Sequence, residues 1–289
     1  MEVIHLNEPI VGKPLYQSGR SRYPTATDVA FITDNRIVAL HRCGCKAYLI
    51  DLNPTKIVHT LVTQHNGKNI QTEMIVYEKG KLYMNTYTDI MLVLVIENNQ
   101  LKIIKSIQFV PGVPCHGLEA RGGFLYITPS TSKLNNKEHI VKYDLEKESY
   151  TLIESPDLKL NYRLKDITFL CDDLIIILIN FKAATHMIRT NHCSDGMIGL
   201  FDKDFRLLDS LQFPRAQMDS AISYNETTFY ATIANDKGGF LVKGCVENNK
   251  LVKSVEYIET VDFPHGIDIH GNKLAYTSYS DSTVCIIDL

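Results

Sequence analysis

The chain has 289 residues, 45% of them hydrophobic, with 30 Lys and Arg against 33 Asp and Glu. That supplies a large core, while the near-balance of charge argues against a surface for nucleic-acid phosphates or an anionic membrane, which need a clustered basic excess. No apolar run reaches the roughly 18 residues of a membrane span, and "MEVIHLNEPI" lacks the basic and apolar regions of a signal peptide, so the expectation is a soluble cytoplasmic protein.

In chain order, one strand signature recurs. A short alternating run is followed by a tight turn, a second run often containing Tyr, a polar loop, and a third run ending near Asp-Leu. It is read first in "TDVAFITDNRIVALHRCGCKAYLIDLNPTKIVHTLV" and next in "TEMIVYEKGKLYMNTYTDIMLVLVIENNQLKIIKSIQF". It returns from His116, from Lys165, from Asp219 and finally in "FPHGIDIHGNKLAYTSYSDSTVCIIDL". A period of roughly 40 to 50 residues with four strands each predicts an all-β, six-bladed β-propeller spanning 1–289 as a single domain. The last copy stops after its third strand. Residues near 3 to 11 fit the missing fourth strand, so the last blade is predicted to close with the amino terminus, which removes exposed edges.

Aligned on the turns, the six first strands open on Asp28, Glu73, His116, Asp166, Asp219 and His265. In a propeller such positions converge on the central channel. Four carboxylates and two imidazoles there would repel as a bare anionic cluster, so a bound divalent cation is predicted. The mixed donor set favours Fe, Zn or Mn over calcium. His116, His265 and Glu73 lead the ligand set, followed by Asp166, Asp219 and Asp28; an Asp outside the coordination sphere would serve as base. Taken singly, each residue has a plainer explanation, because Asp caps turns and His-Gly suits a turn.

Seven cysteines without an export signal read as free thiols; "CGC" at 43–45 has no second pair at zinc-ligand spacing, and Cys115 reads as a core thiol. The loop from about Asn180 to Gly196 is the longest between blade strands, and such an insertion marks a binding face or lid. It carries Lys182, His186, Arg189 and His192; Lys182 and His186 are candidate catalytic groups beside Asp166 and Asp219. His41, Tyr87, Asn180 and Tyr279 are expected along the wall, with Arg20 and Arg22 near the rim. No nucleophile elbow, phosphate loop or dinucleotide fingerprint occurs.

Through "PHGIDIHGNKLAYTS", "PCHGLEARGGFLYIT" and the terminal closure, the chain resembles the six-bladed propeller superfamily of SMP-30 and gluconolactonase-like proteins, NHL-repeat proteins and peptidyl-hydroxyglycine lyases. The resemblance implies a channel metal acting on a lactone, a water or a related small substrate. Two channel histidines with four acids match neither the acid-and-amide set of the lactonases nor the histidine set of the lyases. The expected function is a metal-dependent hydrolase or lyase of a small polar, lactone-like or anionic substrate, with no nucleic-acid or membrane partner. A non-haem iron oxygenase or isomerase on the same site, and a non-catalytic scaffold for a protein or peptide, are the alternatives.

Overall fold

The computed structural model describes residues 1–6, 26–86, 88–110, 112–129, 139–158, 162–181, 195–235, 238–260, 263–279 and 281–289. Among these every regular element is a strand; there is no helix. No helix is therefore long and apolar enough to cross a membrane. Six sheets form the blades of a six-bladed β-propeller, and Gln64–His65 with Lys68–Asn69 makes a small two-stranded sheet besides; strands follow chain order within each blade except in the fifth, where Glu256–Glu259 also pairs with Gly238–Glu247, and in the sixth.

The first sheet runs Ala26–Thr33, Arg36–His41, Lys46–Leu52 and Thr55–Val62, and the second Thr72–Glu78, Lys81–Thr86, Ile90–Glu97 and Gln100–Gln108. The third opens at Cys115–Arg121, the fourth at Tyr162–Phe169, the fifth at Ala216–Ser223 and the sixth at Pro264–His270. The sixth continues through Lys273–Ser278 and Thr283–Asp288, and its fourth strand is Glu2–His5, in antiparallel register Glu2 with Ile286 through His5 with Thr283. The predicted closure is thus present over the described part of residues 3 to 11.

Burial follows strand position. Ala26–Thr33 is buried on both faces over most of its length, whereas outermost Thr55–Val62 is largely exposed and keeps only one face half-covered. Inner strands therefore read as continuous apolar runs and outer ones as polar, alternating sequence. Several hairpins turn on two consecutive residues of positive φ, as at Lys79-Gly80 and Gly122-Gly123. That is the turn whose twist matches paired strands, and it fixes their register.

Contacts divide the chain into two compact units, Met1–Cys115 with His265–Leu289, and His116–Pro264. In the first unit, one apolar cluster joins sheets six and one through Ile4, Leu6, Phe31, Tyr48 and Val284, and another joins sheets one and two. In the second, Ile167, Ile177 and Phe201 centre the cluster of sheets three and four, while Met218, Phe229 and Val242 tie sheet five to sheet four.

Candidate functional site

All six opening residues lie on the first strands of their sheets and are buried, none more than 3% exposed. Four of these strands carry a bulge at the opening: between Ala26 and Val29, Thr72 and Ile75, Leu164 and Asp166, and Met218 and Ala221. A bulge interrupts alternation and lets neighbouring side chains share a side. Thr27 with Asp28 and Lys165 with Asp166 are accordingly buried together.

Bulging strips amides of their ladder partners, and side chains replace them. Asp28 accepts from the Ile75 amide at 2.7 Å and Asp166 from that of Ala221 at 2.9 Å. Each carboxylate thereby pins the next sheet. Behind the histidines, the Gly117 amide donates to Thr128 Oγ1 at 2.8 Å and the Gly266 amide to Thr277 Oγ1 at 2.9 Å. A Cβ on Gly117 would overlap Asp166 Oδ1 and the Lys165 carbonyl; one on Gly266 would overlap Asp28 Oδ1 and the Thr27 carbonyl. Both glycines are set by this close approach. Burial pushes the Asp166 carboxyl up to about 7, against the lowering effect of its amide donors.

In the first unit, His265 Nδ1 lies 2.7 Å from the Thr27 carbonyl oxygen. A carbonyl only accepts, so Nδ1 carries the proton, and Nε2 faces Glu73 at 3.9 Å. Glu73 is paired with Arg42 at 3.0 Å, and Arg42 donates to the Tyr279 hydroxyl at 3.2 Å. The Tyr279 ring stacks on His265 at 4.8 Å.

In the second unit, His116 Nδ1 donates to the Lys165 carbonyl at 2.9 Å. Lys165 Nζ reaches His116 Nε2 at 2.7 Å and Asp219 at 2.5 Å. With the ammonium donating, Nε2 accepts and the imidazole is neutral. Gln217 Nε2 also donates to Asp219, at 3.0 and 3.2 Å, and His116 Nε2 stands 3.6 Å from that carboxylate.

The structure therefore brings Glu73 together with His265, and His116 with Asp219, while Asp28 and Asp166 engage main-chain amides. Glu73 and His265 in the first unit and His116 in the second are buried and carry donor atoms of the kinds that ligate metal ions. Their orientation fits: a ligating histidine characteristically donates its other nitrogen to a carbonyl, as both do here. Two buried cations, Arg42 at 5% and Lys165 at 3% exposure, accompany these acids, which the six opening residues alone do not reveal. They supply positive charge that was assigned to a metal. Arg42 directly precedes the "CGC" of 43–45 and Lys165 directly precedes Asp166; the bulge that turns Lys165 inward is invisible to strict alternation.

Of the expected wall, Tyr279 meets His265, Asn180 bonds both main-chain groups of Met218 at 3.0 Å, and His41 accepts from the Gly44 amide at 2.9 Å. Tyr87, Arg20, Arg22, Lys182, His186, Arg189 and His192 lie outside the described residues. Described cysteines are free thiols, and Cys115 is buried. A separate cleft of about 510 Å³ in the first unit is lined by Ile32, Asn35, Arg36, Asp51, Tyr77 and Leu82 and holds none of the opening residues. Its Arg36 is already tied to Asp51 at 2.6 Å and Asn99 at 3.0 Å.

The chain matches no protein-family model and no curated protein sequence. Among solved structures it is similar to a chain of Kuenenia stuttgartiensis hydrazine synthase, with 13% identity, TM-score 0.63, and coverage of 96% of this chain and 80% of that one. A chain of the mitotic checkpoint complex gives 11% identity and TM-score 0.60 over 98% and 97%. The WD40 β-propeller domain of Doa1 gives 10% identity and TM-score 0.53 over 91% and 92%. These likenesses, which span an enzyme and a WD40 domain, show the β-propeller fold and nothing finer.

Proposed function

We propose that the chain is a metal-dependent hydrolase or lyase acting on a small polar substrate, lactone-like or anionic, with Glu73, His116 and His265 as the residues that would hold the ion. The observation carrying this reading is the orientation of the two histidines, each fixed through Nδ1 by a main-chain carbonyl so that Nε2 faces a buried carboxylate. The resemblance of the His-Gly blade openings to the lactonase and lyase propellers supports it. A bound divalent ion would polarise a substrate carbonyl or acidify a water. Arg42 and Tyr279 orient Glu73 and His265, and Asp219, held by Gln217 and Lys165, is the proposed proton acceptor. Asp28 and Asp166 keep the strand openings in place. Lys182 and His186, outside the described residues, remain proposed substrate contacts. A single domain spanning 1–289 is the proposed organisation.

A second reading is a non-catalytic scaffold. Its support is that Arg42 and Lys165 already offset Glu73 and Asp219 without any ion. Elemental analysis of protein purified without added metal separates the two. About one equivalent of Fe, Zn or Mn is expected in the wild type and a large loss in both His116→Ala and His265→Ala. Metal persisting in both variants removes the assigned ligands, and no metal after loading with each ion favours the scaffold.

A further inference from the structure

We infer that Lys165 is a built-in competitor of the metal: its ammonium occupies the coordinating lone pair of His116, so ion binding at His116 and the Lys165–His116 bond exclude each other. The inference rests on the metal reading above and adds the residue that sets the ion's affinity.

A neutral imidazole has one in-plane lone pair. His116 Nδ1 is committed as donor to the Lys165 carbonyl, so that lone pair is on Nε2, and Lys165 Nζ stands on it at 2.7 Å. Metal–nitrogen bonds of about 2.0–2.1 Å leave no room for a donor hydrogen in the same direction. Lys165 holds this place firmly because Asp219 draws the same ammonium at 2.5 Å, at 3% exposure for the lysine and 1% for the aspartate. Gln217 donates to the same carboxylate. His265 differs: its Nδ1 carbonyl comes from Thr27, which has no amine to fold back onto the ring. In the second unit a single residue thus offers its carbonyl to Nδ1 and its side chain to Nε2. An ion binding at His116 must first meet a chain in which Lys165 has swung away, and apparent affinity is lowered by the rarity of that state.

Titration calorimetry of the full chain with Mn(II) and with Zn(II) tests this on wild type, Lys165→Met, Lys165→Arg and the double variant Lys165→Met/Asp219→Asn. If the displaced state is a minor conformer of about 0.1–10%, Lys165→Met binds about ten- to a thousand-fold more tightly than wild type. Lys165→Arg, which keeps the charge, shows no such gain. Binding by Lys165→Met alone, with wild type silent, supports the competitor and removes the metal centre from the native chain. Equal or weaker binding by Lys165→Met beside a wild type that binds overturns the competitor and leaves the metal reading intact. Absence of binding in every variant removes both. Should Lys165→Met alone fail to fold because Asp219 is left charged and buried, the double variant, which buries no net charge there, decides by the same comparison.

Discussion

In the unit formed by Met1–Cys115 and His265–Leu289, one buried acid, Glu73, is paired with the cation Arg42, just past the second strand of sheet one. In the unit His116–Pro264, the acid is Asp219 and the cation is Lys165, on the first strand of sheet four. The surrounding frame repeats part for part. His265-Gly266 with Thr277 and Asp28 corresponds to His116-Gly117 with Thr128 and Asp166, and the carbonyl of Thr27 to that of Lys165. Asn180 stands as far after Asp166 as Arg42 stands after Asp28, yet Asn180 bonds the Met218 main chain while Arg42 reaches an acid. A buried carboxylate must be offset, but the offset is free to come from any strand whose side chain reaches it. The frame is thus conserved between units while the cation's origin is not.

The largest expected effects probe that offset. Arg42→Met leaves Glu73 buried without its guanidinium and Lys165→Met leaves Asp219 without its ammonium; each should cost about 3–5 kcal/mol in denaturant unfolding. The pairs Arg42→Met/Glu73→Gln and Lys165→Met/Asp219→Asn should recover most of the loss. Recovery in one unit only would break the equivalence.

Next come the two glycines. Gly117→Ala and Gly266→Ala each drive a methyl into a main-chain carbonyl and a carboxylate, neither of which can retreat, so each should cost about 3 kcal/mol. Similar losses confirm that both frames are equally tight, whereas a benign substitution in one would show its sheets to be looser.

Asp166 sharpens the comparison through pH. Its folded carboxyl titrates near 7 rather than 3.8, so the folded chain retains a proton that the unfolded chain gives up. Its contribution to stability is greatest below about pH 4, declines as pH rises towards 7 and is level above that, on the order of 4 kcal/mol in all. Asp166→Asn should flatten the wild-type unfolding profile between these limits, and an unchanged slope would remove the effect. The smallest change is expected for Thr128→Val and Thr277→Val. Each orphans one buried amide at about 1 kcal/mol, measurable as a shift in thermal midpoint.

The repeat, the Asp-Leu turns and the fourth strand supplied by Glu2–His5 were legible because period and alternation report burial directly. The six opening residues were legible for the same reason, since a polar residue at a fixed place in an apolar repeat stands out. Arg42 and Lys165 were not. Arg42 follows its strand inside a turn sequence, and Lys165 sits at a bulge that breaks the two-residue rule on which the reading depended. Omitting two cations turned a set of ion pairs into an apparent excess of negative charge. What survives for a metal is the orientation of the histidines, which sequence does not display.

The most direct measurement is an anomalous difference map from crystals of the full chain grown with Mn(II). The expected result is a peak within about 2.3 Å of His265 Nε2 and a Glu73 oxygen, with Lys165 turned away from His116. A map with no peak at these atoms at saturating Mn(II), and with Lys165 still on His116 Nε2, would contradict a metal centre built on these residues.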